Sequence, residues 1–148
     1  MQRKAFLYEI KKGNIETVVQ LSRQISEFSD PHGAKEYGNR LKNTPHLILV
    51  AHDDSLPVGF KVGYEREGYF YSWMGGVLSA YRKKGIAQQL AYEQESWAKL
   101  KNYPHITLKT RNRHQAMLLF ALKIGFQIID FEKRENIEEN RILLRKFL

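Results

Sequence analysis

The fold of this 148-residue chain is decided by residues 74–87, which read Met74-Gly-Gly-Val-Leu-Ser-Ala-Tyr-Arg-Lys-Lys-Gly-Ile-Ala87. A strand is expected to end near Leu78, and a helix is expected to open at about Gly85. The first backbone amides of a helix are unpaired and carry about half a positive charge. Gly85 and Ala87 are small enough for a ligand to approach the backbone closely. Three bases stand at the same point: Arg82, Lys83 and Lys84. The segment therefore predicts a phosphate or pyrophosphate site at a strand-to-helix turn.

This segment carries neither of the familiar nucleotide signatures. No G-x-G-x-x-G is present in the chain. Gly33-Ala-Lys-Glu-Tyr-Gly38 is followed by Asn39-Arg40, whereas a phosphate-binding P-loop continues with Lys-Ser or Lys-Thr.

Strands and helices are predicted to alternate on both sides of this segment, in the order β-α-α-β-β-β-α-β-α-β-β. The predicted strands are Phe6–Ile10, His46–His52, Pro57–Tyr64, Tyr69–Leu78, His105–Thr110, Phe126–Phe131 and Ile142–Phe147. The predicted helices start at Asn14, at Asp30-Pro31, at about Gly85 and at Gln115, the last being stopped by Gly125. The charged segment Glu132–Asn140 is expected to be a mobile loop. This order predicts an α/β fold, a single domain over residues 1–148 in which helices cover one mixed sheet.

The charge is unevenly distributed. The chain has 24 Lys and Arg against 16 Asp and Glu, a net charge of +8. Residues 79–113 contain eight of these bases and only two acids, Glu93 and Glu95, so 8 − 2 = +6 of the surplus lies there. A concentrated positive field indicates an anionic partner, either a nucleic acid or a polyphosphate ligand.

The chain contains no cysteine, no signal-peptide pattern and no long apolar window. We therefore expect a cytoplasmic protein without disulfides, with no membrane partner. The five histidines lack metal-ligand spacing, so no metal is expected. The final strand is expected to offer an edge through which a homodimer can form.

The strand-to-helix segment resembles the signature of the GNAT family of acyl-CoA-dependent N-acetyltransferases, Gln/Arg-x-x-Gly-x-Gly/Ala. A second family signature, a strand, an Asn, a helix and a closing Gly-Phe, is matched by Thr107–Asn112, Ala116–Phe120 and Gly125-Phe126. The resemblance implies a GNAT-like fold with a central splayed sheet, in which Trp73–Leu78 and His105–Thr110 diverge. It also implies acetyl-CoA as co-substrate and a primary amine, of a small molecule or a protein, as acceptor.

The resemblance assigns the coenzyme to residues around this opening. Backbone groups near Val77 and Ser79 would bind the pantetheine, amides from Lys83 to Gln88 would bind the pyrophosphate, and Lys123 or Arg113 would meet the 3′-phosphate. The full implied set of cofactor-binding residues is Val77, Leu78, Ser79, Arg82, Lys83, Lys84, Gly85, Ile86, Ala87, Gln88, Asn112, Phe120 and Lys123. Coenzyme A is strongly anionic, which accounts for the local positive charge without nucleic acid.

Because the chain has no cysteine, direct transfer in a ternary complex is expected rather than a cysteine-linked acyl-enzyme. The resemblance implies that the backbone N–H of Val77 stabilises the oxyanion, and Gly75-Gly76 would permit a bulge that turns it into the cleft. Two positions depart from the family pattern. Trp73 replaces a frequent Glu, and Phe120 replaces a frequent Tyr that supplies a proton to the departing thiolate. Proton transfer is therefore expected to pass through water to Glu65, Glu67 or Tyr81, unless the amine binds already neutral.

Tyr69, Tyr71 and Trp73 alternate, so they share one face of a strand. Aromatic faces attract cationic amines, which predicts an aromatic-lined acceptor pocket. The alternative is that these three side chains are core beneath the first two helices.

Two other functions remain open on the sequence. The absence of Glu at position 73 and Tyr at position 120 would also suit a non-catalytic module that binds or senses acyl-CoA. The basic charge would suit a nucleic-acid-binding domain, but the aromatic patterns of RNA-binding modules are absent, so no nucleic-acid partner is expected.

Overall fold

The fold is that of a computed structural model, which describes residues 8–28 and 30–148. Its strands are β1 (Glu9–Lys12), β2 (His46–Asp53), β3 (Leu56–Arg66), β4 (Tyr69–Val77), β5 (His105–Arg111), β6 (Gln127–Glu132) and β7 (Arg141–Phe147). Its helices are α1 (Ile15–Arg23), α2 (Ala34–Leu41), α3 (Ile86–Leu100) and α4 (Gln115–Lys123). The predicted order of elements is confirmed. No helix within the described ranges is both long and apolar enough to cross a membrane.

The seven strands form one mixed sheet in the order β1-β2-β3-β4-β5-β7-β6. Only β4 and β5 run parallel, and α3 makes the crossover between them. Helices α1 and α2 cover one face with a buried core around Val18, Tyr37 and Phe60. Helices α3 and α4 cover the other face with a second core around Leu90, Ile106 and Ala121. The predicted α/β sheet covered on both faces is therefore confirmed.

Local capping chemistry sets several boundaries as predicted. The Asn14 side chain accepts a hydrogen bond of 2.9 Å from the Thr17 amide and so caps α1. Gly125 has φ of +104°, the left-handed geometry that ends α4. Glu67 and Gly68 both have positive φ, the geometry of the tight turn that joins β3 to β4.

Two predicted boundaries differ from the structure. Phe6 and Leu7, at the start of the predicted first strand, lie outside the described residues, and β1 extends to Lys12 through its pairing with Leu49. Helix α2 begins at Ala34 and not at Pro31. The preceding segment stays extended and packs the His32 ring 5.2 Å from that of Trp73.

The structure bears on two further expectations, and the first of them is wrong. The final strand, β7, lies between β5 and β6, so the edge of the sheet on this side is β6. The 132–140 loop, which is expected to be mobile, contains a short 3-10 turn and accepts backbone hydrogen bonds from the segment that follows β5. The amides of Asn112 and Arg113 donate to the carbonyls of Asn140 and Glu138, at 2.8 and 2.9 Å.

Candidate functional site

A gap opens in the middle of the sheet where β4 bulges. Met74 pairs with Val62 of β3, but Ser72 pairs with Gly63, so Trp73 is an extra residue on β4. A bulge bends its strand and strengthens the local twist. The parallel pairing of β4 with β5 ends at Ser72, immediately before this extra residue. Beyond that point β4 leaves β5, which continues to pair with β7.

The prediction of a bulge at Gly75-Gly76 is therefore wrong, since both residues keep regular register with β3. Close packing accounts for the glycine at position 76, whereas position 75 has room for a side chain atom. A Cβ on Gly76 would lie 2.6 Å from Cδ1 of Ile25, on the α1 face. A Cβ on Gly75 would lie 3.5 Å from Cγ of Lys61, on the α3 face.

The pairing register of β3 and β4 also determines the direction in which the backbone N–H of Val77 points. The amide of Leu78 donates to the carbonyl of Val58 at 2.9 Å, so these two residues form a hydrogen-bonded pair. Such pairs alternate with non-bonded pairs along an antiparallel ladder. The next pair, Gly59 with Val77, is then non-bonded, and the N–H of Val77 points away from β3. It points to the side on which β4 has separated from β5.

Helix α3 begins beside this gap with a row of unpartnered amides. Gly85 precedes the helix with φ of +84°, and its amide is followed by those of Ile86, Ala87 and Gln88. Within residues 8–28 and 30–148, the six consecutive N–H groups from Lys83 to Gln88 donate to no backbone or side-chain acceptor. A Cβ on Gly85 would meet nothing within 4 Å, so the approach to these amides is open. Such a row can bind an anion through N–H groups and the helix dipole.

The side chain of Arg82 lies at the mouth of the gap but is engaged by protein groups. Its Nη2 donates to Oε1 of Glu27 at 2.9 Å, and its Nε donates to the carbonyl of Val77 at 3.2 Å. This guanidinium lowers the pKa of Glu27 to about 2. Arg82 therefore ties the segment after α1 to the end of β4.

A groove of about 270 Å³ runs between α3 and α4. Gln88, Phe120 and Lys123, three of the residues implied to bind the coenzyme, line it together with Glu95 and Lys146. Asn112 is placed differently. Its side-chain amide donates to the carbonyl of Ile137 at 3.2 Å, so it holds the loop that follows β6.

These features can be set beside known proteins. The family model of the acetyltransferase (GNAT) family matches residues 15–126, three quarters of the chain. This chain belongs to the GNAT acetyltransferase family. No curated protein sequence gives a significant match.

Several solved structures share the GNAT fold with this chain. The ribosomal-protein-S18-alanine N-acetyltransferase of Escherichia coli is 11% identical at a TM-score of 0.83, with 95% of this chain and 93% of that chain covered. The PaiA N-acetyltransferase of Thermoplasma acidophilum, in complex with coenzyme A, is 20% identical at a TM-score of 0.74, with 95% of this chain and 99% of that chain covered. NAA60 of Arabidopsis thaliana, in complex with a bisubstrate analogue, is 18% identical at a TM-score of 0.76, with 95% of this chain and 97% of that chain covered. At these identities the likeness shows the fold.

The three predicted proton-transfer residues of this GNAT domain do not meet at the gap. Glu65 pairs with Phe70, seven residues before Val77 on β4, which is about 23 Å along a strand. Glu67 lies in the turn beyond it. This placement argues against a role for either carboxylate at Val77. Tyr81 lies closer, but its hydroxyl donates to Asp53 Oδ2 at 2.8 Å, and that bond raises the pKa of Tyr81.

The three alternating aromatic residues of β4 face α1 and α2, where Tyr71 and Trp73 belong to the core and Tyr69 packs against it. Tyr71 and Trp73 are 7% and 9% exposed. The guanidinium of Arg40 lies 4.4 Å from the Trp73 ring, and that of Arg66 lies 5.1 Å from the Tyr71 ring. Tyr69 stacks on His105 at 5.2 Å. Since protein cations already cover two of these rings, the packing favours the core alternative over the predicted acceptor pocket.

The sequence reasoning missed two charged residues at this site, Glu27 and Lys61. Glu27 has no local signal, because its partner Arg82 is remote in sequence. Lys61 does have a local signal in the sequence. The run from Leu56 to Tyr64 is otherwise uncharged, as is typical of a buried strand, and Lys61 is the only charged residue within it. Burial lowers the pKa of Lys61 to about 8.

Proposed function

We propose that this protein is an N-acetyltransferase that passes the acetyl group of acetyl-CoA directly to a primary amine in a ternary complex. The observation that carries the proposal is the row of six free amides from Lys83 to Gln88, beside a gap into which the N–H of Val77 points. Membership of the GNAT family and the coenzyme A complex of a protein with the same fold support it.

Each part of the site then has one task. The amides at the start of α3 bind the pyrophosphate, with Lys83 and Lys84 supplying charge. The groove between α3 and α4 receives the pantetheine against Phe120. The N–H of Val77 stabilises the oxyanion when the amine attacks the thioester carbonyl, a contribution of about a hundredfold to a thousandfold in rate for one donor.

The test uses Val77→Pro, which removes this one N–H, with Val77→Ala as the matched control that keeps it. Because Val77 forms a non-bonded pair with Gly59, proline removes no hydrogen bond of the β3–β4 ladder. We expect calorimetry to show coenzyme A binding by both variants. Thiol release over a panel of amines should fall at least about a hundredfold in Val77→Pro alone.

The same assay separates this proposal from a binding or sensing module. Trp73 and Phe120 offer no titratable group, which is the observation that favours such a module. Coenzyme A binding by the wild type without thiol release from any amine would support the module, and absence of coenzyme A binding would contradict both.

A further inference from the structure

Lys61 places its amine over β4, the strand that borders the gap in the sheet. It lies on β3, between Leu49 of β2 and Gly75 of β4, and is half-buried. Its Cγ and Nζ lie 3.5 and 3.7 Å from the point where a Cβ of Gly75 would stand. The side chain therefore lies over β4 at Gly75. Beyond Gly75 is the edge of β4 that has separated from β5.

The surroundings of Lys61 lower the pKa of its amine. Burial has the larger effect and lowers the pKa of Lys61 to about 8, while the charge of Glu95 on α3 acts in the opposite direction and raises it. Glu95 is itself paired with Lys146 of β7 at 2.7 Å. The flanking residues Leu49 and Gly75 add no charge. With a pKa of about 8, roughly a tenth of the Lys61 amine is neutral at pH 7, whereas an exposed lysine with a pKa of about 10.4 is almost entirely charged there.

We propose that Lys61 is an internal acceptor that takes an acetyl group from acetyl-CoA bound to the same molecule. This inference rests on the proposed function, because it needs the thioester to lie in the gap. The neutral Nζ attacks the thioester carbonyl carbon and an N–C bond forms. The C–S bond breaks, and coenzyme A leaves as the thiol with the proton that the amine gives up. The product is an acetyl-lysine amide at the base of the site.

Because of the position of Lys61, we expect its acetylation to occur by a reaction within one molecule. The amine lies on the face of the sheet that α3 covers, which is also the face of the coenzyme groove, so α3 restricts the approach of another protein carrying an acyl donor. A reaction within one molecule has a rate constant that does not depend on protein concentration.

The experiment incubates the purified protein with acetyl-CoA and follows the gain of one acetyl group by intact mass and peptide mass spectrometry. We compare wild type with Lys61→Arg and Lys61→Met, which lack the acceptor amine, and with Lys99→Arg, which removes an exposed lysine of α3. Acetylation at residue 61 is expected in wild type and Lys99→Arg, at a first-order rate constant unchanged by tenfold dilution of the protein. The rate should rise about tenfold per pH unit up to about pH 8 and then level off.

Glu95→Gln supplies a second measurement that does not depend on altering Lys61. Removing this carboxylate lowers the pKa of Lys61 further, so acetylation at pH 7 should become faster than in wild type. Coenzyme A binding is measured in parallel by calorimetry. Binding and amine turnover without acetylation of Lys61 would overturn this inference and leave the proposed function standing. Absence of coenzyme A binding would overturn both.

Discussion

Gly63 shows how strongly one position in β3 is fixed by its neighbours. A Cβ built there would lie 2.3 Å from Cε2 of Phe70 and 2.8 Å from the carbonyl oxygen of Tyr71. The Phe70 ring has little freedom to yield, because it is fully buried and packs against the rings of Trp97 and Tyr103 at 5.3 and 5.4 Å. The absence of a side chain at Gly63 is therefore a packing requirement.

We expect Gly63→Ala to lower the free energy of unfolding by about 1–3 kcal/mol through overpacking. Gly38→Ala is the matched control, because Gly38 lies inside α2 and its Cβ would meet nothing within 4 Å. That control should raise stability by about 0.5–1 kcal/mol through helix propensity. Urea unfolding of both variants measures the two effects, and equal midpoints would show that the β3–β4 contact is loose.

At the scale of elements, the pair Glu27–Arg82 joins the segment after α1 to the turn before α3. Both side chains are substantially exposed, at 46% and 39%, so solvent screens the pair and its contribution is held to about 1 kcal/mol or less. The pair lowers the pKa of Glu27 from 4.5 to about 2. A carboxyl group with a lowered pKa stabilises the fold above its unfolded pKa, and this contribution is lost as the pH falls through the folded pKa.

Glu27→Gln should therefore be less stable than wild type at pH 6 by up to about 1 kcal/mol, and the difference should shrink as the pH falls from about 4.5 toward 2. Glu93→Gln, an exposed change on α3, serves as the control and should leave the free energy of unfolding nearly unchanged. Unfolding free energies across this pH range make the comparison. A difference that persists unchanged at low pH would mean that the carboxylate charge is not what joins the two segments.

The elements also show what could be read from the sequence. Asn14, Gly125 and the turn before β4 act through their own backbone neighbours, so short-range chemistry predicts them. The free amides of α3 follow equally from its starting residues. The extra residue at Trp73 could not be found in this way, since a bulge is a property of two strands in register. The contacts of Lys61 with Glu95 and of Glu27 with Arg82 likewise join remote parts of the chain.

At the scale of the whole molecule, the net charge of +8 should steer an anionic coenzyme toward the site. Because salt screens charges beyond about 8–10 Å at physiological strength, the association rate constant of coenzyme A should fall several-fold between about 0.01 M and 0.15 M salt. Pantetheine, which lacks the phosphates, is the control ligand, and its association should be nearly independent of salt. Stopped-flow measurements test this, and equal salt dependence for both ligands would contradict electrostatic steering.

The bulge on β4 has a consequence for how such a sheet can change. Since the opening depends on a single surplus residue at Trp73, deleting that residue would let the two strands zip together past Ser72. The deletion would keep the pairing of β3 with β4 on both sides, because Ser72 opposite Gly63 would then be followed directly by Met74 opposite Val62. An open sheet with a cleft and a closed sheet without one would thus differ by a single residue. Insertion or deletion at this position should therefore be tolerated far less than substitution.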